Sequence, residues 1–158
     1  LTQERKNAAQ NRNIAASLAN TPYVSFFDAD DILHPHRIEF ITEALTQYPN
    51  TDIILHGYRT SQEPEGMIST PILHQNQLQR APSGCAMFTP NWRLRIHHAQ
   101  VTTTKAIWNQ VKFKEDTLHE RKEDAVFCGD VLALPGIQSV YIPQALSIYE
   151  EEGQTYAV

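Results

Sequence analysis

The 158-residue chain is short of three things: cysteine, a surplus of positive charge, and long uninterrupted apolar stretches. Cys85 and Cys128 are its two cysteines. They are too few and too far apart for a disulfide framework or a cysteine-built metal site, and suit a reducing, cytoplasmic setting. No run approaches the roughly 18 apolar residues of a membrane-spanning helix, so no transmembrane segment is expected, although peripheral contact with a membrane stays compatible with the chain. With 13 basic against 18 acidic residues the formal charge is −5. That excludes a general electrostatic footprint for nucleic acid, and any phosphate must be bound locally with the help of a few cations or a metal ion. An initiating Met and a signal peptide are also lacking, as expected of an excised or partial sequence. What remains is ordinary: the apolar share of 41% and charged share of 20% are those of a globular protein, long enough for one core and too short for two. A single domain over residues 1–158 is expected.

Hydrophobic spacing lays out the elements. Good helix formers fill residues 4–20, where Ala8, Ile14, Ala15 and Leu18 supply a weakly apolar stripe. Asn20-Thr21-Pro22 stops that helix, and Tyr23-Val24-Ser25-Phe26-Phe27 reads as a short buried strand. Pro35 marks the first turn of a second helix, carried by Ile38, Ile41, Leu45 and Tyr48. A second buried strand follows over residues 52–58, which makes a β-α-β order and favours parallel strands joined by a right-handed crossover. Residues 60–91, rich in proline and glycine, read mostly as loop with short strands, a length at which loops tend to carry function. Beyond them the pattern predicts a strand over 99–103, helices over 105–110 and 122–132, and two strands over 139–142 and 145–149. The fold class is therefore α/β.

Asp28-Ala29-Asp30-Asp31 follows the first strand directly. Residues i and i+2 of an extended chain point to one side, so Asp28 and Asp30 can aim two carboxylates at one place, outside the carboxyl end of a strand, where open α/β sheets bind ligands. Paired hard oxygen anions suit Mg²⁺ or Mn²⁺, which keep positions for water and substrate phosphates. The plainer reading is an acidic turn that caps the helix after Pro35.

The wider run Asn11-Arg12-Asn13-Ile14-Ala15-Ala16-Ser17-Leu18-Ala19-Asn20-Thr21-Pro22-Tyr23-Val24-Ser25-Phe26-Phe27-Asp28-Ala29-Asp30-Asp31, continued by Pro35 and Arg37, resembles the central segment of the family 2 glycosyltransferases. These are inverting enzymes of GT-A fold, whose sheet is mixed, mainly parallel and flanked by helices. The resemblance implies a divalent cation, Mn²⁺ or Mg²⁺, held by Asp28 and Asp30. It further implies a nucleotide-sugar donor bound around Asp28, Ala29 and Asp30, with Arg12 facing the nucleotide. A second stretch, Phe113-Lys114-Glu115 followed by Glu123-Asp124 at the head of an apolar helix, resembles the family's later signature, in which the Asp takes the proton of the acceptor hydroxyl. Asp124 is thereby the expected catalytic base, and a helix N-terminus would keep it ionised and ready. Glu115, Asp116 and Glu120 are weaker substitutes. The acceptor implied is a carbohydrate or glycoconjugate, chosen by residues 60–95 and 114–121.

The sequence departs from the family at two places. Tyr149 matches a tyrosine near the end of the domain, but Glu150-Glu151-Glu152 stands where a basic residue and a metal-binding histidine are expected. Glu152 is then the oxygen candidate, and the third ligand is open. His97 and His98 do not replace it, because neighbours on a strand face opposite ways. The family's first nucleotide-binding strands also have no counterpart in residues 1–11, so the domain is expected to be N-terminally incomplete. Weak donor binding by the isolated piece and self-association through a bare sheet edge should follow. Two rival readings stand beside this one. One is a degenerate, glycosyltransferase-like binding module. The other is a haloacid dehalogenase-type phosphatase that would use Asp28, Asp30 and the Gly129-Asp130 pair.

Overall fold

The computed structural model describes residues 5–62, 74–75, 79–80, 86–87, 96, 98–116, 118–119 and 122–150. Cys85, His97, Glu120, Glu152 and most of the 60–95 stretch lie outside the described residues. The chain opens with helix α1 (Ala8–Leu18), strands β1 (Tyr23–Ser25) and β2 (Ile32–Leu33), helix α2 (Arg37–Gln47) and strand β3 (Ile53–Thr60). Short strands β4 (His74–Gln75), β5 (Gln79–Arg80) and β6 (Ala86–Met87) precede a 3₁₀ turn (His98–Gln100) and strand β7 (Thr102–Thr104). Helices α3 (Lys105–Val111) and α4 (Glu123–Leu132) and strand β8 (Ser139–Tyr149) complete the order.

Helix α1 starts four residues later than its composition predicts because Asn7 forms a reciprocal capping box with Gln10: each side chain bonds the other's backbone N–H, at 2.9 and 3.0 Å. Two of the helix's unpaired first-turn donors are satisfied there, which defines its beginning. Its buried face is Ala9, Asn13 and Ala16, not the expected stripe. Ile14 and Leu18 are exposed at 45% and 75%, since the small side chains let the helix sit close to the sheet while Asn13 is bonded inside. Helix α2 shows a similar shift: Arg37, Ile41 and Ala44 are buried, and Ile38 faces solvent. Pro35 precedes the N-cap, His36, which makes no side-chain cap bond. The acidic residues after β1 therefore do not cap α2.

Five strands run in the order β1-β7-β3-β8-β2, with β4 also paired to β8. Strand β7 inserts between β1 and β3 and is antiparallel to both, so the two front strands share a direction without touching. The sheet is mixed as expected, with less parallel pairing than expected, and β3 with β8 is the parallel pair. The two predicted C-terminal strands are one, β8, which passes through Pro143. Proline cannot donate to a ladder, and the β3–β8 register shifts on either side of Gly57 to accommodate this stretch.

Alternation along the central strands builds two cores. Ile53, Leu55 and Tyr141 join Val24, Phe26, Trp108, Phe113 and Phe127 on the face toward α1, α3 and α4. Ile54, Val140, Ile142 and Leu146 face Ile41 and Ala44 of α2. Helices thus cover both faces of the sheet, and the side chains at the carboxyl end of β1 emerge between α1 and α4. No helix among the described residues is long and apolar enough to cross a membrane.

Gly57 is required by close approach. A Cβ there would lie 2.8 Å from the Pro143 carbonyl oxygen and 3.0 Å from that of Gln144, both backbone atoms that cannot swing aside. Gly57→Ala is expected to cost about 1–3 kcal/mol of stability, the usual penalty of overpacking. Urea denaturation would read it as a lowered midpoint.

Candidate active site

Three aromatic rings form the floor of the site. Phe113 stacks on Phe127 with centroids 4.2 Å apart, and Phe26 meets Phe113 edge-on at 4.9 Å. Each ring belongs to a different segment: the end of β1, the loop after α3, and α4. Burying Phe127 completely contributes about 2–3 kcal/mol, and offset and edge contacts add to it. Because Phe26 lies two residues before Asp28 and Phe127 three after Asp124, packing the rings brings both acidic motifs to one place.

Arg12 stands over this floor, its guanidinium 5.5 Å from the centre of the Phe113 ring. It forks between the motifs: Nη2 is 2.6 Å from Asp28 Oδ1 and Nη1 is 2.6 Å from Glu123 Oε1. The three side chains are 14%, 26% and 11% exposed. Burial works against the Arg12 charge, yet the attraction and hydrogen bonds of Asp28 and Glu123 outweigh it and raise its pKa above the ordinary arginine value. The guanidinium is held as a permanent cation.

Asp28 to Asp31 form a turn, closed by the Asp31 N–H donating to the Asp28 carbonyl at 3.3 Å. The extended geometry assumed for Asp28 and Asp30 is thus replaced by a turn, with Ala29 and Asp30 exposed at its tip. Asp31 anchors it, accepting hydrogen bonds from Gln100 Nε2 and from the Glu150 backbone N–H, the latter at 3.4 Å. The residue after Tyr149 therefore sits against the acidic turn. Buried Arg37 supports the same corner by donating to the carbonyls of Phe26 and Gln100, each at 3.2 Å, and to His56 Nε2 at 3.1 Å. His56 directs Nδ1 at the Gly57 carbonyl, 2.8 Å away, so it is held as the neutral Nδ1–H tautomer. Burial pulls the Arg37 pKa down to about 10, which leaves it charged at neutral pH.

Glu123 and Asp124 open α4. Glu123 is the member that reaches Arg12, a contact not anticipated from the sequence. Asp124, on the same first turn, accepts a hydrogen bond from the Ala125 N–H at 2.7 Å. The segment before α4 is tied to α1: Asn13 Nδ2 donates to the Phe113 carbonyl and to Glu115 Oε1 at 2.9 and 2.8 Å. Asp116 pairs with His119 Nδ1 at 2.6 Å, and that bond lowers the Asp116 pKa. A cleft of about 630 Å³ lies between the head of α1 and this segment, lined by Arg5, Lys6, Asn7, Ala8, Ala9, Lys114, Asp116 and Glu123.

Of the turn's three carboxylates, Asp31 is engaged by Gln100 and the Glu150 N–H and Asp28 gives one oxygen to Arg12, so the second Asp28 oxygen and exposed Asp30 are the donors that could meet a metal ion. Among the described residues no group of three His, Cys, Asp or Glu side chains could hold an ion alone. Such a set fits Mg²⁺ or Mn²⁺ arriving with substrate phosphates, which needs only one or two carboxylates from the protein. Asp130, which the phosphatase reading would use, lies inside α4 and pairs with Lys114 at 3.7 Å.

Residues 1–133 match the family model described as Glycosyl transferase family 2. The fold is similar to that of S. aureus TarS residues 1–349, with a TM-score of 0.63 at 15% identity over 95% of this chain and 42% of that one. The same protein in complex with UDP gives 0.62 at 14% identity, covering 96% and 42%. Its complex with UDP-GlcNAc gives 0.64 at 15%, covering 97% and 41%. At these identities the likeness establishes the fold, the GT-A type expected from the sequence, and the chain spans about two fifths of those structures. No curated protein matches it.

Removing the shared cation should leave Asp28 and Glu123 facing each other in a half-buried place. Arg12→Met is expected to cost about 3 kcal/mol, the low end for a broken buried pair because all three groups keep some solvent. Arg12→Lys should recover less than half, since one ammonium cannot fork between two carboxylates. Urea midpoints check both, and adding Asp28→Asn with Glu123→Gln to Arg12→Met should restore most of the loss.

Proposed function

The chain belongs to glycosyl transferase family 2, and on that premise we propose that it carries the catalytic face of a metal-dependent glycosyltransferase. The reaction moves a sugar from a nucleoside-diphosphate donor to an acceptor hydroxyl, with inversion at the anomeric carbon. The observation that carries this reading is Arg12 forked between Asp28 and Glu123, which holds the two acidic motifs on either side of one cation. Donor diphosphate and base belong on opposite sides of the reacting carbon, and in this reading that separation is what the fork maintains.

The roles follow from charge. Asp28 and Asp30 would hold a Mg²⁺ or Mn²⁺ ion, with Ala29 beside the donor, and that ion would supply charge neutralisation for the departing diphosphate. Asp124 accepts the acceptor's hydroxyl proton as the oxygen forms its bond to the anomeric carbon. The bond from that carbon to the diphosphate oxygen breaks on the opposite side, and the leaving group departs with the electron pair. At the head of α4 Asp124 accepts the Ala125 N–H at 2.7 Å, which orients the carboxylate that the reaction needs as base. Lys114 and Asp116, on the cleft wall, belong to the loop that would select a carbohydrate or glycoconjugate acceptor. UDP-GlcNAc is the first donor to try, because the structurally similar TarS forms a complex with it.

Asp124→Asn keeps shape and removes basicity. In the protein that carries these residues it is expected to lower turnover by roughly 10²–10⁴-fold, while calorimetric affinity for Mn²⁺ with UDP stays within about twofold. Full turnover in that variant would dismiss Asp124 as base. A wild-type protein with no saturable Mn²⁺ or nucleotide site would favour the inert binding module.

A further inference from the structure

Asn13 follows Arg12 on α1 and is turned about 100° from it around the helix. The two side chains reach different walls of the site. Every hydrogen-bonding position of the Asn13 amide is used: Nδ2 donates to the Phe113 carbonyl and Glu115 Oε1, and Oδ1 accepts from the Phe113 N–H at 3.0 Å and Trp108 Nε1 at 3.3 Å. An amide has two donors and two acceptor sites, so its capacity is filled. The side chain pairs with both the N–H and the C=O of one residue, as a neighbouring strand would. Aspartate lacks the donors, and glutamine is one methylene too long. Asn7 adds a bond from the same helix, Nδ2 to the Glu115 carbonyl at 3.0 Å.

The backbone next to this clamp is strained. Lys112 has φ 50° and ψ 156°, and it is the non-glycine residue with positive φ among those described. Side chains are disfavoured in that region, and such conformations persist where surrounding contacts over-determine them. Lys112 is held on one side by its own N–H donating to the Trp108 carbonyl at 2.9 Å and on the other by the Asn13 contacts on the next residue, Phe113. The same Phe113 ring carries the Arg12 guanidinium and stacks on Phe127 of α4.

We propose that Asn13 is a positioning residue that locks residues 113–115 to α1, so that one turn of this helix sets the place of the base-bearing wall relative to Arg12 and Asp28. This rests on the reading above that the head of α4 supplies the base. Asn13 touches no reacting atom; it acts through Phe113 and the start of α4. The strain at Lys112 separates positioning from mere stability. In Asn13→Ala the segment is freed and the fold weakened. Adding Lys112→Gly relieves the strain and restores stability, without returning the segment to its place.

The test compares wild type, Asn13→Ala, Lys112→Gly and the double variant by urea denaturation, amide exchange and turnover. Asn13→Ala should speed exchange at the Phe113 amide by about 100-fold and cut turnover by at least about tenfold, with donor affinity unchanged. The double variant should regain the wild-type urea midpoint while Phe113 exchange stays fast and turnover stays low. Recovery of turnover together with stability would reduce Asn13 to a structural residue and overturn the proposal, as would unchanged Phe113 protection in Asn13→Ala. Exchange needs no turnover, so a wild-type protein inactive with every donor would sink the transferase reading while exchange alone judged the clamp.

Discussion

A single guanidinium between two carboxylates is the constraint on which the rest of the site depends. Arg12 is 16 residues from Asp28 and 111 from Glu123 along the chain, and its charge holds the ends of those segments together. Three partly buried ionic groups would ordinarily cost more in desolvation than they return. Here the fork geometry is short on both arms, and the cation rests on an aromatic ring whose negative face adds to the attraction. The Phe26, Phe113 and Phe127 cluster supplies the apolar burial, and Arg12 supplies the orientation.

Helix α1 does more than its modest amphipathicity would suggest. Its small buried residues let it approach the sheet closely, and from that position Arg12 and Asn13 address the two halves of the site. Asn7, at its capping box, meets the same loop. The cleft, the acidic turn and the head of α4 are all referenced to this one helix, while Asp31 and Arg37 tie the turn to the end of β8 and to the 3₁₀ turn. Such a frame can place donor and acceptor groups because β1, β3 and β8 run in one direction, and ligands of α/β sheets bind beyond the carboxyl ends of such strands.

Much of this was legible in the sequence, for local reasons. The strand at Tyr23, the helix at Glu123 and the acidic run after Phe27 declare themselves through composition within a few neighbouring residues, and the Arg12-to-Asp31 pattern placed them in the right family. What was not legible depends on partners distant in the chain. Nothing near Asn13 announces that its amide will pair with Phe113. Nothing near Glu123 distinguishes it from any first-turn acid, and nothing near Arg12 announces that it will pair with a carboxylate 111 residues away. The stripe expected on α1 failed because close packing favoured alanine over isoleucine. The strands expected to be parallel do share a direction, and what the pattern did not announce is β7 inserted between them, whose three threonines carry no strong hydrophobic signal. Pro143 suggested a break where a bulge against Gly57 absorbs it.

In the proposed reaction the acidic turn and the head of α4 face one reaction centre. Crystals of the protein grown with Mn²⁺ and a nucleoside diphosphate, measured at a wavelength where manganese scatters anomalously, test it directly. The predicted result is one peak at roughly 2.0–2.6 Å from carboxylate oxygens of Asp28 or Asp30, in contact with the diphosphate, with the Asp124 carboxylate turned toward it. A peak on another face of the molecule, or an Asp124 carboxylate turned away from the bound nucleotide, would contradict it.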